Sequence, residues 1–131
     1  MPVVLVVDDE LDLLAALSDA LNAEGWKVLV AGGPGDALDA ARSCPVDVVL
    51  CDLLLDGADG RTVKEAFARE HGLRRIPFVF MTASLLEAHK FSAEPIVEKP
   101  FRLHDLLAVL EGRLPADRDG SDLRGGAPGL G

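Results

Sequence analysis

Three stretches of this chain are apolar without the polar alternation of a half-exposed strand. They are residues 3–7, residues 78–81 and, apart from Asp47, residues 46–51. Unbroken runs of β-branched and aliphatic residues imply strands covered on both faces, as in a parallel sheet. Residues 27–31 and 96–98 are less uniformly apolar and read as edge strands.

Amphipathic segments separate these runs. Residues 11–24 place Leu14, Leu17 and Leu21 on one face, and Gly25 stops them. Residues 35–42 are Ala-rich, and residues 61–70 carry Val63, Ala66 and Phe67. Residues 102–113 carry Leu103, Leu106, Leu107 and Leu110 at the i, i+3, i+4, i+7 spacing. The order is strand then helix, five times over. Such an alternation with short links predicts an α/β fold, an open five-stranded parallel sheet with helices on both faces.

Composition narrows the function. The 131 residues are 49% hydrophobic, which suits one domain with a sizeable core. A formal charge of −9 argues against nucleic-acid binding, which needs clustered Lys and Arg, and suits a metal ion or a basic partner. No apolar run approaches a membrane span, and Asp8 interrupts the first run before a signal-peptide core could form. Two cysteines, Cys44 and Cys51, make no disulfide framework and fit a reducing, cytoplasmic setting. Residues 115–131 lack an apolar period and are rich in Gly and Pro, so a domain over 1–114 with a flexible tail is expected.

In open α/β sheets, ligands bind at the carboxyl ends of the strands. Asp8, Asp9 and Glu10 follow the first strand, Asp52 ends the third, Thr82 and Ala83 end the fourth, and Lys99 and Pro100 follow the fifth. Each has an ordinary structural use: carboxylates at a helix start, Thr82 as a helix cap, Asp52 in a turn with Gly57, Lys99 in solvent. Those uses do not explain why all the polar residues fall on one edge of the sheet. Carboxylates brought together repel and raise one another's pKa, and a divalent cation resolves the conflict. Magnesium takes a few carboxylate oxygens and pairs with phosphate. A carboxylate beside it can form an acyl phosphate, with an ammonium and a hydroxyl binding the phosphoryl oxygens.

These residues carry a resemblance. Residues 1–113 resemble the receiver domain of two-component response regulators, through Val6-Val-Asp-Asp-Glu10, Asp52 with Gly60 eight residues later, Met81-Thr-Ala83 and Glu98-Lys-Pro-Phe101. The resemblance implies a flavodoxin-like (βα)5 fold and Asp52 as the phosphoacceptor. It implies magnesium held directly by Asp9, by Asp8 mainly through water, and also by Asp52 and the backbone carbonyl of Leu54. Thr82 would be the switch hydroxyl, Lys99 would pair with the phosphoryl group, and the Lys99–Pro100 bond would be cis. The implied partners are a histidine kinase or His-phosphotransfer protein and a target protein bound as output. The implied role is self-catalysed phosphoacceptor and signalling module, or intermediate or phosphate sink in a relay.

Two other classes compete. A hydrolase of the haloacid-dehalogenase type wants a second Asp two residues after its nucleophile, where this chain has Leu54. An unmodified interaction domain would not need the complete set of Asp8, Asp9, Asp52, Thr82 and Lys99. The chain also departs from the family pattern. Asp56 replaces the Pro often found four residues after the acceptor, and Ile96 takes the aromatic switch position. The interval of 17 from Thr82 to Lys99 predicts a shortened or irregular fourth helix and a switch based on residues 83–95.

Overall fold

The computed structural model describes residues 1–55, 57–83 and 94–114. Among them the elements run β1 (Val3–Val7), α1 (Leu11–Ala23), β2 (Lys27–Ala31), α2 (Pro34–Ser43), β3 (Val48–Asp52), β4 (Leu54–Leu55), β5 (Ala58–Asp59), α3 (Gly60–Ala68), β6 (Phe78–Thr82), β7 (Ile96–Glu98) and α4 (Leu103–Gly112). Five strands form one sheet in the order β2-β1-β3-β6-β7, and every neighbouring pair is parallel. The two less apolar segments, β2 and β7, are its edges, as expected. The helix expected between Thr82 and Lys99 falls mostly on 84–93, and the expected tail on 115–131; both stretches lie outside the described residues.

The unbroken apolar runs are explained by burial on two sides. Alternate strand residues point to opposite faces. Val4, Val6, Val48, Leu50, Val79 and Met81 face one layer and pack with Leu14, Leu17, Leu21, Leu106 and Leu110. Leu5, Val7, Val49, Cys51, Phe78 and Phe80 face the other and pack with Ala37, Ala41, Val63 and Phe67. Asp47, the polar exception in its run, lies just before β3 and accepts from the Val3 N–H at 2.8 Å. It tethers the start of β1 to that of β3.

Helix α1 ends where its sequence says it must. Gly25 takes φ +93°, its N–H reaches the Asn22 carbonyl, and the Trp26 N–H reaches the Leu21 carbonyl. This is the paired closure of a left-handed C-terminal cap. It turns Trp26 into the core beside Leu21, where α1 meets β2.

The topology fixes where a ligand can sit. The chain leaves β1 for β2 on one side and returns for β3 on the other, so the winding direction reverses between β1 and β3. Ligands of doubly wound sheets bind at the carboxyl ends of the strands flanking such a reversal. Asp8 and Asp52 stand at those two ends.

One element was not expected. Just after Asp52 the chain makes an antiparallel ribbon of β4 and β5, pairing Leu54 with Asp59 and Leu55 with Ala58. Gly57, at φ +74°, supplies the left-handed turn residue that such a tight reversal requires. Two-residue strands are too short to leave a periodic signal.

Candidate functional site

Asp8 is fully buried, although it carries a carboxylate. Its backbone N–H continues the sheet by donating to the Ala31 carbonyl at 3.1 Å, which fixes the residue at the mouth of β1. Its Oδ1 accepts from the Glu10 N–H at 2.9 Å. Asp52, the last residue of β3, is also buried, and its Oδ1 accepts from the Leu54 N–H at 3.1 Å. Lys99 comes just after β7 and is held in line by its N–H to the Thr82 carbonyl at 2.7 Å. Its ammonium lies 2.9 Å from Asp8 Oδ2, 2.9 Å from Asp52 Oδ2 and 3.4 Å from Glu10 Oε1.

The electrostatics come from this crowding. Burial pushes the Asp52 carboxyl above the usual carboxylate range and the Asp8 charge adds to it, against the opposing pull of Lys99 and the Leu54 N–H. Burial alone would lower the Lys99 ammonium, but its bonds to Asp8 and Asp52 more than offset that and hold it above its ordinary value. The neighbouring Cys51 thiol is pushed far up, chiefly by burial and then by the Asp52 charge, so it stays protonated and inert.

Among the described residues, Asp8, Glu10 and Asp52 have carboxylate oxygens within 4.8 Å of one another. The backbone is extended at Glu10, and both Asp9 and Glu10 are exposed, whereas Asp8 is buried. Taken as a unit, the acidic triplet gives no sign that Glu10, two residues from Asp8, joins the cluster. Thr82 is buried at the end of β6, one residue beyond Met81, which pairs with Asp52. Leu54 opens β4, with its side chain exposed. The Lys99–Pro100 bond is cis.

The sequence marks Gly60 only by its distance from Asp52, and the fold gives that glycine a reason. A Cβ there would stand 2.3 Å from the Asp52 carbonyl oxygen and 3.0 Å from Leu53 Cα. Its own N–H bonds the Leu53 carbonyl at 2.8 Å. The start of α3 therefore presses on the backbone that carries Asp52.

The donor set fits magnesium. It offers hard carboxylate oxygens, two of the three side chains buried, already gathered around a cation, the Lys99 ammonium.

The family model for the response regulator receiver domain matches residues 4–111. This chain belongs to that family. Receiver domains are phosphoacceptors of two-component signalling rather than enzymes with a separate substrate. The DNA-binding response regulator MtrA of Mycolicibacterium smegmatis is 33% identical over 121 residues, 88% of this chain and 52% of that protein. The chain thus spans about half the length of the curated relatives it matches. Among solved structures, the chemotaxis protein CheY4 of Vibrio cholerae superposes with a TM-score of 0.78 at 25% identity, covering 87% of this chain and 99% of that one. The response regulator TrrA of Thermotoga maritima, solved with magnesium and beryllium fluoride, gives 0.77 at 26% identity, covering 87% and 100%. The receiver fold expected from the sequence is therefore found. No helix among the described residues is long and apolar enough to cross a membrane.

Proposed function

We propose that this receiver accepts a phosphoryl group on Asp52 from a phosphohistidine of a kinase or phosphotransfer protein in the cytoplasm. The signal then passes on by binding a target protein. The observation that carries this reading is the Asp52 carboxylate at the winding reversal, with one oxygen bonded to the Leu54 N–H and the other to Lys99. In the transfer, an Asp52 oxygen attacks phosphorus. The new O–P bond forms as the N–P bond breaks, and the imidazole keeps that electron pair and takes a proton from solvent. Magnesium held by Asp8, Asp9, Asp52 and the Leu54 carbonyl would supply positive charge to the phosphoryl oxygens. Lys99 leaves the Asp52 carboxylate and pairs with a phosphoryl oxygen, and the Thr82 hydroxyl donates to another. The same groups make phosphorylation and hydrolysis self-catalysed. Residues 1–114 form the receiver in this reading, and 115–131 lie beyond it.

The test uses acetyl phosphate with magnesium and intact-mass detection. Wild-type protein gains one phosphoryl group, and Asp52→Asn gains none. Uptake by Asp52→Asn at the wild-type rate removes Asp52 from its role.

A further inference from the structure

Phosphoryl transfer from a phosphohistidine needs more than an acceptor: the imidazole must leave. With its far ring nitrogen unprotonated, the ring departs as an anion. Once that nitrogen has taken its proton from solvent, the ring departs neutral, keeping the electron pair of the broken N–P bond. The protonated ring is a cation, and it stands close to the Lys99 ammonium, which binds the same phosphoryl group. Two positive charges at short range repel, and a carboxylate beside the ring offsets the repulsion.

The structure places a carboxylate there. Beside the acidic cluster lies an open depression of about 400 Å³ lined by Glu10, Leu13, Ala83, Lys99, Pro100 and Phe101. Its apolar walls suit the faces of a flat aromatic ring, with a polar group at hand to fix the orientation. Among the described residues that line it, Glu10 is the one acid. The Lys99 ammonium on the same wall lies 2.9 Å from Asp52 Oδ2, so the depression adjoins the carboxylate that attacks. Glu10 Oε1 is 3.4 Å from that ammonium, the longest of the three contacts that Lys99 makes, and the Glu10 side chain is 65% exposed. This carboxylate is lightly held and can turn toward a donor that enters from solvent. The contact of Glu10 with Asp8 is made by its backbone N–H, so a change of side chain keeps it.

We propose that Glu10 determines specificity for the phosphodonor: its carboxylate accepts a hydrogen bond from the far ring N–H of the departing imidazole and so favours phosphohistidine over oxygen-linked donors. The bond from Asp52 to phosphorus forms and the N–P bond breaks as described above, and Glu10 exchanges no proton. An acyl phosphate leaves as a carboxylate anion with no N–H to offer, and the Glu10 charge opposes it. The inference rests on the phosphoacceptor reading of Asp52 and gives a role to a residue outside the metal's ligand set.

Phosphoryl uptake from phosphoimidazole and from acetyl phosphate, each with saturating magnesium and intact-mass detection, tests it in wild type, Glu10→Gln and Glu10→Ala. Glu10→Ala slows uptake from phosphoimidazole about tenfold, the low end for a hydrogen bond to a charged group. It speeds uptake from acetyl phosphate about twofold, because a like charge is removed from the leaving group's path. Glu10→Gln, whose amide oxygen accepts the N–H without the charge, falls between. The ratio of the two rates decides, since a side chain that only helped to hold the cation or the fold would slow both donors alike. An unchanged ratio in Glu10→Ala overturns the proposal, whether both rates fall together or neither moves. So does a wild-type protein that reacts with acetyl phosphate but not with phosphoimidazole. If wild type reacts with neither donor, or Asp52→Asn reacts at the wild-type rate, the reading of Asp52 falls and takes the proposal with it, an outcome distinct from the other two.

Discussion

At the scale of single residues, the site is a balance between burial and charge. Asp8 and Asp52 tolerate their position because one ammonium touches both at 2.9 Å. Removing it leaves two buried carboxylates without a counter-charge. Lys99→Met should therefore lose about 3 kcal/mol of stability in chelator, the cost of breaking a buried ion pair. Magnesium, binding only the folded state, should return most of it. Urea melts with and without the ion measure both effects; equal loss in both conditions would contradict them. Asp52 gives a pH dependence of defined sign. Its folded pKa is raised, so the folded state holds the proton more tightly than the unfolded chain. Stability at this group then falls as pH rises from about 4 through the raised value. Asp52→Asn should thus be more stable than wild type at neutral pH without metal, and the gap should close on acidification below about pH 4. A gap that widens in acid would mean that the carboxyl is lowered instead.

At the scale of elements, Asp52, the proposed acceptor, is positioned by the ribbon and helix on its C-terminal side. The close approach of Gly60 to the Asp52 carbonyl couples the start of α3 to the end of β3. Gly60→Ala puts a methyl group into backbone, which cannot rotate away. It should cost about 2 kcal/mol, in the range of overpacked sites, and slow phosphoryl uptake by displacing Asp52. Circular dichroism melts and acetyl phosphate kinetics read the two consequences, and unchanged values in both would deny the contact. The three central strands were legible as unbroken apolar runs and the helices by their amphipathic spacing or Ala-rich composition. Leu14, Leu17 and Leu21 are buried as their spacing implies, and Leu106 and Leu110 likewise. The β4–β5 ribbon was not legible, because two-residue strands have no period and are defined by Gly57 and cross-strand bonds. Glu10 was legible as acidic but not as a member of the cluster. Its approach to Lys99 depends on the chain folding back over a sequence separation of 89.

At the scale of the whole molecule, two apolar layers hold five strands parallel, so that Asp8, Asp52, Thr82 and Lys99 end on one edge. The layers are separate: Leu50 belongs to the one under α1 and α4, and Phe80 to the one under α2 and α3. Phe80→Ala should cost about 4 kcal/mol, the usual toll of emptying an aromatic from a core. A cost under about 1 kcal/mol would deny that layer its rigidity. The proposed function rests on one carboxylate at the centre of this edge. Borohydride reduction of the phosphorylated protein, followed by peptide mass spectrometry, locates an acyl phosphate to a single carboxylate. Magnesium-dependent reduction at Asp52 and nowhere else is the expected result. Reduction at Asp8, Asp9 or Glu10 instead, or an acid-labile phosphate on a histidine, would contradict the assignment of Asp52 as the phosphoryl acceptor.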